Sequence, residues 1–125
     1  MGSLEHAITI ATKAHAGQID KAGAPYILQP LRVMLIFTQR DEQITAVLHD
    51  VVEDSDWTLD GLRKEGFSEQ VIVAVDALTR QPIESYEDFL ERASDNAIAK
   101  KVKLADFPKQ HQAGLNRLEK TIFWL

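Results

Sequence analysis

The sequence contains no cysteine. This excludes a disulfide framework and a thiolate zinc site, so any metal must be held by histidine and carboxylate side chains. The reducing cytoplasm is the simplest compartment for a chain of this kind, and we expect it there.

Long apolar runs and an excess of positive charge are also missing. No run reaches bilayer length, and the N-terminus MGSLEHAITIATKAHAG lacks the continuous apolar core of a signal peptide. The net charge of −5 argues against a nucleic-acid or anionic-membrane partner, because both need a positive face. A phosphorylated small molecule would therefore have to bind in a local pocket.

The remaining composition is that of an ordinary globular domain. The chain has 125 residues, 45% of them hydrophobic and 26% charged, which is enough to bury one core. No alternating strand pattern bounded by hairpin turns is found. We expect a single domain over residues 1–125, folded as a compact all-α bundle of about seven helices.

Capping residues predict where the first helices lie. Ser3 begins a helix with apolar residues at three- and four-residue spacing that stops before Gly17. A glycine- and proline-containing loop follows, and a second helix begins near Pro30. Asp41 is the expected cap of a third helix, which continues through Val51.

Later caps predict the rest of the bundle. Thr58, Ser68 and Ser85 each precede a predicted helix, and Ser85 with Asp88 resembles a weak capping box. A helix from about residue 97 leads to Asp106 and is expected to end at Pro108. The last predicted segment runs from residue 113 to the end of the chain.

The densest group of reactive side chains lies in LHDVVEDSDW and contains His49, Asp50, Glu53, Asp54 and Asp56. On one continuous helix His49 would share a face with Glu53, and Asp50 with Asp54. Like charges at this spacing repel, whereas a bound divalent cation would reverse that cost. A solvated acidic helix end explains the spacing equally well.

Three ordered segments carry a family resemblance. HAGQIDKAGAPYILQPLRVML, AVLHDVVEDSDWTL and VKLAD resemble, in order and separation, the HD-type hydrolase domain of RelA/SpoT proteins and the stand-alone small alarmone hydrolases. The resemblance covers roughly residues 11 to 106. It implies an all-helical HD-domain fold and removal of the 3′-diphosphate from guanosine tetra- or pentaphosphate.

The resemblance also implies roles for particular residues. Family members bind a metal, usually manganese, through a histidine before a proline, an adjacent His-Asp pair and a later aspartate. His49, Asp50 and Asp106 match the last three of these ligands. Glu53 and Asp54 match the pair that orients and activates the attacking water.

The sequence departs from the family pattern at three positions. Gln29 precedes Pro30 where the family has the first metal-binding histidine, and an amide oxygen is a poor replacement for imidazole with a transition metal. Gln110 stands where family members have a substrate-holding asparagine. Leu118 falls at the position of a substrate-contacting tyrosine.

Three explanations of these departures remain open at the level of sequence. The chain hydrolyses a related phosphorylated nucleotide with a three-residue metal site, or it is a degenerate member that binds a nucleotide or a partner without turnover. The third explanation is that Gln29 is an engineered or strain-specific replacement of a histidine. We predict a phosphohydrolase, and the alternative is a non-catalytic regulator. The sequence does not predict an oligomeric state.

Four other polar residues could lie in or near the site. Lys21 resembles the basic residues that meet substrate in the family, and a solvated lysine is an equal alternative. His15 is expected to pack or hydrogen-bond beneath the site. His6 is expected to be solitary and exposed, and His111 to lie on a surface loop.

Aromatic and basic residues near the site have ordinary explanations. Trp57 and Trp124 are expected to anchor the core or an interface. Lys100, Lys101 and Lys103 are expected to form a cationic helix face.

Overall fold

The computed structural model describes residues 2–110, with side chains described through residue 106. Within these residues the chain forms eight helices and one isolated bridge between Ile19 and Pro25. In chain order the helices are α1 Leu4–Ala14, α2 Leu28–Ile36, α3 Arg40–Leu48, α4 Val51–Asp54, α5 Leu59–Lys64, α6 Glu69–Ala77, α7 Tyr86–Ser94 and α8 Ala97–Gln110. The all-α prediction is confirmed for this part of the chain.

Helix α3 lies at the centre of the bundle. It packs against α1, α2, α6 and α8, and its residues from Ile44 to Leu48 are buried. The N-terminal residues of α3 are polar, but residues 44–48 are buried on every face, which is consistent with their being covered by four other helices. The C-terminal residues of α3 therefore lie in the interior of the molecule.

Several predicted caps are confirmed. The side chains of Ser3, Thr58, Ser68 and Ser85 each accept a backbone N–H in the first turn of the helix that follows. The second helix begins at Leu28, two residues before Pro30. Local capping chemistry is therefore sufficient to place the four helix starts at Ser3, Thr58, Ser68 and Ser85.

Two predicted boundaries are wrong. The third helix has its N-cap at Gln39, so Asp41 lies inside the first turn, where a carboxylate still favours the helix dipole. Helix α8 continues past Pro108 to Gln110, so the proline does not end the helix where the sequence predicts. The predicted segment from residue 113 lies outside the described residues.

No helix in the described part of the chain is both long and apolar enough to cross a membrane.

Candidate functional site

The helix that carries the His-Asp pair is interrupted at that pair. His49 is the C-cap of α3 and Asp50 is the N-cap of α4. The prediction of one continuous helix with four groups on a single strip is therefore wrong. The interruption instead separates a buried pair, His49 and Asp50, from an exposed pair, Glu53 and Asp54.

His49, Asp50 and Asp106 form a buried acidic-imidazole cluster. The Nε2 atom of His49 lies 3.2 Å from Oδ2 of Asp50 and 3.5 Å from Oδ2 of Asp106. Asp106 lies on α8, 56 residues after Asp50 in the sequence, and the fold brings it next to His49. All three side chains are buried. The structure therefore joins the three residues that the resemblance assigns to a metal.

The orientation of His49 is fixed by the backbone. Its Nδ1 donates to the carbonyl oxygen of Ala46 at 2.5 Å, which turns Nε2 toward the two carboxylates. Burial opposes a charge on the imidazole, but the neighbouring charges of Asp50 and Asp106 outweigh it and raise the pKa of His49 to about 9. In this arrangement a protonated imidazole balances the two carboxylates.

Tyr26 contacts the cluster from the loop before α2. Its hydroxyl donates a short hydrogen bond to Oδ2 of Asp50. Burial, followed by the charge of Asp50, raises the pKa of the phenol, so Tyr26 stays a neutral donor. Sequence reasoning missed this residue, since nothing in the local pattern links Tyr26 to Asp50.

His15 lies beneath Tyr26, as expected for a packing role. Its ring is 2% exposed, tilts against the Tyr26 ring at a centroid distance of 4.9 Å, and hydrogen-bonds Gln18 through Nδ1. Gln18 in turn donates to the backbone carbonyl of Asp54. The prediction for His15 is confirmed, and α1 is thereby tied to the residues that follow the His-Asp pair.

Glu53 and Asp54 lie at the exposed rim above the buried cluster. Burial of part of each side chain, with the charge of Asp50, raises the pKa of both carboxyls above their ordinary values. The backbone N–H of Arg80 donates to Oε1 of Glu53 at 2.5 Å and opposes this rise. A carboxylate whose pKa moves toward neutrality is better suited to accept a proton.

Two cationic residues near Glu53 pack against aromatic rings. The Arg80 guanidinium and the Lys103 ammonium lie 5.7 Å and 5.8 Å from the centre of the Tyr86 ring, and Lys103 also lies 5.1 Å from that of Phe89. Lys103 therefore does more than form a cationic helix face. Arg80 and Tyr86 were missed because only the fold brings them to the site.

Other candidates lie apart from the cluster or outside the described residues. Lys21 is exposed in a turn built by hydrogen bonds to Asp20, and its substrate role stays a prediction. His6 is neither solitary nor fully exposed, because it hydrogen-bonds Glu65 at 2.7 Å and stacks on Phe67. Trp57 packs against the core, as expected.

Predictions for four residues of the C-terminal region cannot be compared with side-chain positions, since these lie outside the described side chains: Gln110, His111, Leu118 and Trp124. Among the side chains of residues 2–106, no group of three or more His, Cys, Asp or Glu is arranged to hold a metal ion as it stands. In the described structure His49 is instead ion-paired with the carboxylates of Asp50 and Asp106.

Comparison with known proteins finds similarity to two kinds of named enzyme. The chain is 38% identical over 81 residues to a probable GTP pyrophosphokinase of Mycobacterium leprae, covering 62% of this chain and 10% of that protein. It is 30% identical over 115 residues to a guanosine-3′,5′-bis(diphosphate) 3′-pyrophosphohydrolase of Aquifex aeolicus, covering 82% of this chain and 16% of that protein. A protein of the same name from Haemophilus influenzae is 37% identical over 75 residues, covering 57% of this chain and 11% of that protein.

No protein-family model matches the chain. The chain spans between 10% and 16% of the length of these relatives. The chain is thus similar to a part of guanosine-3′,5′-bis(diphosphate) 3′-pyrophosphohydrolases and GTP pyrophosphokinases.

Proposed function

We propose that this chain is a metal-dependent phosphohydrolase of the RelA/SpoT hydrolase kind. Its proposed substrate is guanosine 3′,5′-bis(diphosphate), from which it releases the 3′-diphosphate. The observation that carries the proposal is the meeting of His49, Asp50 and Asp106 beneath an exposed Glu53. The activity for which several relatives are named supports the choice of substrate.

The donor set of the buried cluster fits a divalent cation such as Mn²⁺. One imidazole nitrogen and two carboxylates are ligands that such an ion accepts, and the Nδ1 hydrogen bond to Ala46 leaves Nε2 of His49 as the ligand atom. We propose that His49, Asp50 and Asp106 hold it. When bound, the ion supplies Lewis-acid polarisation of a phosphoryl oxygen and a more acidic water.

The chain's own residues have distinct proposed roles. Glu53 accepts the proton of the attacking water, and Asp54 orients that water from the same rim. Tyr26 holds the Asp50 carboxylate in place through its hydroxyl. Lys21 is proposed to meet a phosphate of the substrate from the exposed turn.

The alternative is a nucleotide-binding regulator that does not turn over. Gln29 favours it, because this chain lacks the imidazole that precedes the proline in the family. Family resemblance alone does not distinguish the two, since one fold hosts both active and inactive members.

Replacing Glu53 tests the enzymatic proposal. The full chain is incubated with Mn²⁺ and guanosine 3′,5′-bis(diphosphate), and diphosphate release is followed. Glu53→Gln is expected to lower kcat by about 10² or more, because a positioned general base contributes on that order. Asp56→Asn is the matched control, since Asp56 is an exposed carboxylate outside the cluster, and it should retain activity. Equal activity of wild type and Glu53→Gln would exclude the role of Glu53, and no release by wild type would favour the regulator.

A further inference from the structure

The connection between α6 and α7, residues 78–85, lies against Glu53. The backbone N–H of Arg80 donates to Oε1 of Glu53 at 2.5 Å. This is a contact between residues 27 positions apart, so the position of the connection affects the position of the carboxylate. Something in the fold must hold the connection still if Glu53 is to keep one orientation.

Arg92 of α7 binds the connection at several points. Its Nε and Nη2 atoms donate to the two carboxylate oxygens of Glu84 at 2.8 Å and 3.0 Å. Nη1 donates to the carbonyl oxygen of Asp76 at 3.0 Å, and Nη2 also donates to that of Thr79 at 2.8 Å. One guanidinium therefore links the end of α6, the start of the connection and Glu84 near the end of the connection.

The Thr79 contact is directly coupled to Glu53. The carbonyl of Thr79 and the N–H of Arg80 belong to the same peptide group, which is planar and rigid. Arg92 holds the oxygen of this group while Glu53 accepts from its N–H. A tilt of the peptide plane would move both hydrogen bonds together.

Only arginine can make this set of contacts. The guanidinium is a planar fork with five donors, whereas a lysine ammonium is a point charge that cannot bridge the carboxylate and both carbonyls in one plane. The hydrogen bonds from Arg92 lower the pKa of Glu84 to about 2, so the ion pair is charged at neutral pH.

We propose that Arg92 is a positioning residue for Glu53 and acts through the Thr79–Arg80 peptide group, with Glu84 holding the guanidinium in place. The inference rests on the proposed function, because it gives Glu53 its role as base. The inference assigns a role to Arg92 of α7, whose described hydrogen bonds reach neither the His-Asp pair nor Glu53.

The test compares Arg92→Lys with Arg63→Lys in the full chain. Arg63 is an exposed arginine that also pairs with two carboxylates, those of Asp60 and Glu69, and serves as the matched control. The first measurement needs no metal or substrate: hydrogen exchange of the Arg80 amide, followed by NMR. The second is kcat and KM for diphosphate release with Mn²⁺, and the third is the melting temperature.

For Arg92→Lys we expect faster exchange of the Arg80 amide by about tenfold or more, since the peptide group loses its anchor. We expect kcat to fall by about tenfold or more with KM within about twofold, because a displaced base impairs the chemical step. Arg63→Lys should change neither. Glu84→Gln, which keeps the side-chain shape, should change exchange and kcat in the same direction by a smaller factor.

The outcomes separate the two proposals. Unchanged Arg80 exchange and unchanged kcat in Arg92→Lys would overturn the positioning role. A loss of kcat that only follows a large fall in melting temperature, with Glu84→Gln at wild-type activity, would also overturn it. If wild type releases no diphosphate, the proposed function fails, while the exchange measurement still decides whether Arg92 controls the peptide group beside Glu53.

Discussion

At the scale of single residues, the buried cluster depends on how one carboxylate is held. Asp50 accepts from the Tyr26 hydroxyl and lies beside the His49 imidazole, so two neighbours fix its orientation. A residue that orients a metal ligand typically contributes about tenfold to a hundredfold to metal affinity. Tyr26 is therefore the residue whose loss should separate metal binding from folding.

We predict that Tyr26→Phe weakens Mn²⁺ binding by about tenfold to a hundredfold, because the Asp50 carboxylate loses the donor that orients it. Removing one hydroxyl should cost the metal-free protein about 1.5–3 kcal/mol of unfolding free energy, the range for a hydrogen bond to a charged group. Titration calorimetry with Mn²⁺ measures the first effect, and thermal unfolding of the metal-free variant serves as its control. A dissociation constant within about twofold of wild type would contradict this role for Tyr26.

Gln29 is the residue at which the chain and the family pattern differ most. It is the second residue of α2 and is partly buried. We predict that Gln29→His increases Mn²⁺ affinity and the rate of diphosphate release, since imidazole is the better ligand for a transition metal. The same two assays check it. A variant that folds normally yet gains neither affinity nor rate would show that position 29 does not limit the site.

At the scale of elements, the ion pair between Arg92 of α7 and Glu84 of the connection before it is sensitive to acid. The hydrogen bonds from Arg92, then the backbone N–H of Gln81 and the charges of Arg92 and Arg80, lower the pKa of Glu84 to about 2 in the folded protein, below its ordinary value of 4.5. A depressed carboxyl pKa stabilises the folded state above the unfolded value. This stabilisation is lost as the pH falls from about 4.5 toward 2.

We therefore predict that Glu84→Gln lowers the melting temperature by a constant amount between pH 5 and 7, and that the difference from wild type shrinks between about pH 4.5 and 2. Melting curves of both proteins across this range provide the measurement. Glu87→Gln, at an exposed position of α7, is the control and should follow wild type. A difference that stays constant down to pH 2 would contradict the ion pair.

The sequence predicts helix starts better than it predicts helix interruptions. Ser3, Thr58, Ser68 and Ser85 act through hydrogen bonds within one turn, so a local pattern is sufficient to find them. The break at His49 and Asp50 is different, because burial of both side chains against α8 and Tyr26 is a property of the packed molecule. The same reason hides Arg80 and Arg92 from sequence reasoning, as their partners lie many residues away.

At the scale of the whole molecule, the bundle places a buried cluster under an exposed rim. The apolar core surrounds α3, which ends at Leu48 with His49 as its C-cap, and α8 places Asp106 beside His49. Sequence reasoning named all three residues of the cluster and both carboxylates of the rim, and the structure brings the three together, while the roles assigned to all five stay predictions. It identified them through the resemblance, since spacing alone left a solvated acidic edge equally good.

The most direct test of the central claim is phosphorus NMR of guanosine 3′,5′-bis(diphosphate) incubated with the full chain and Mn²⁺. The proposed function predicts that the signals of the 3′-diphosphate are replaced by those of free diphosphate and guanosine 5′-diphosphate, with no orthophosphate formed first. A spectrum that stays unchanged under these conditions, or one in which orthophosphate is the first product, would contradict it.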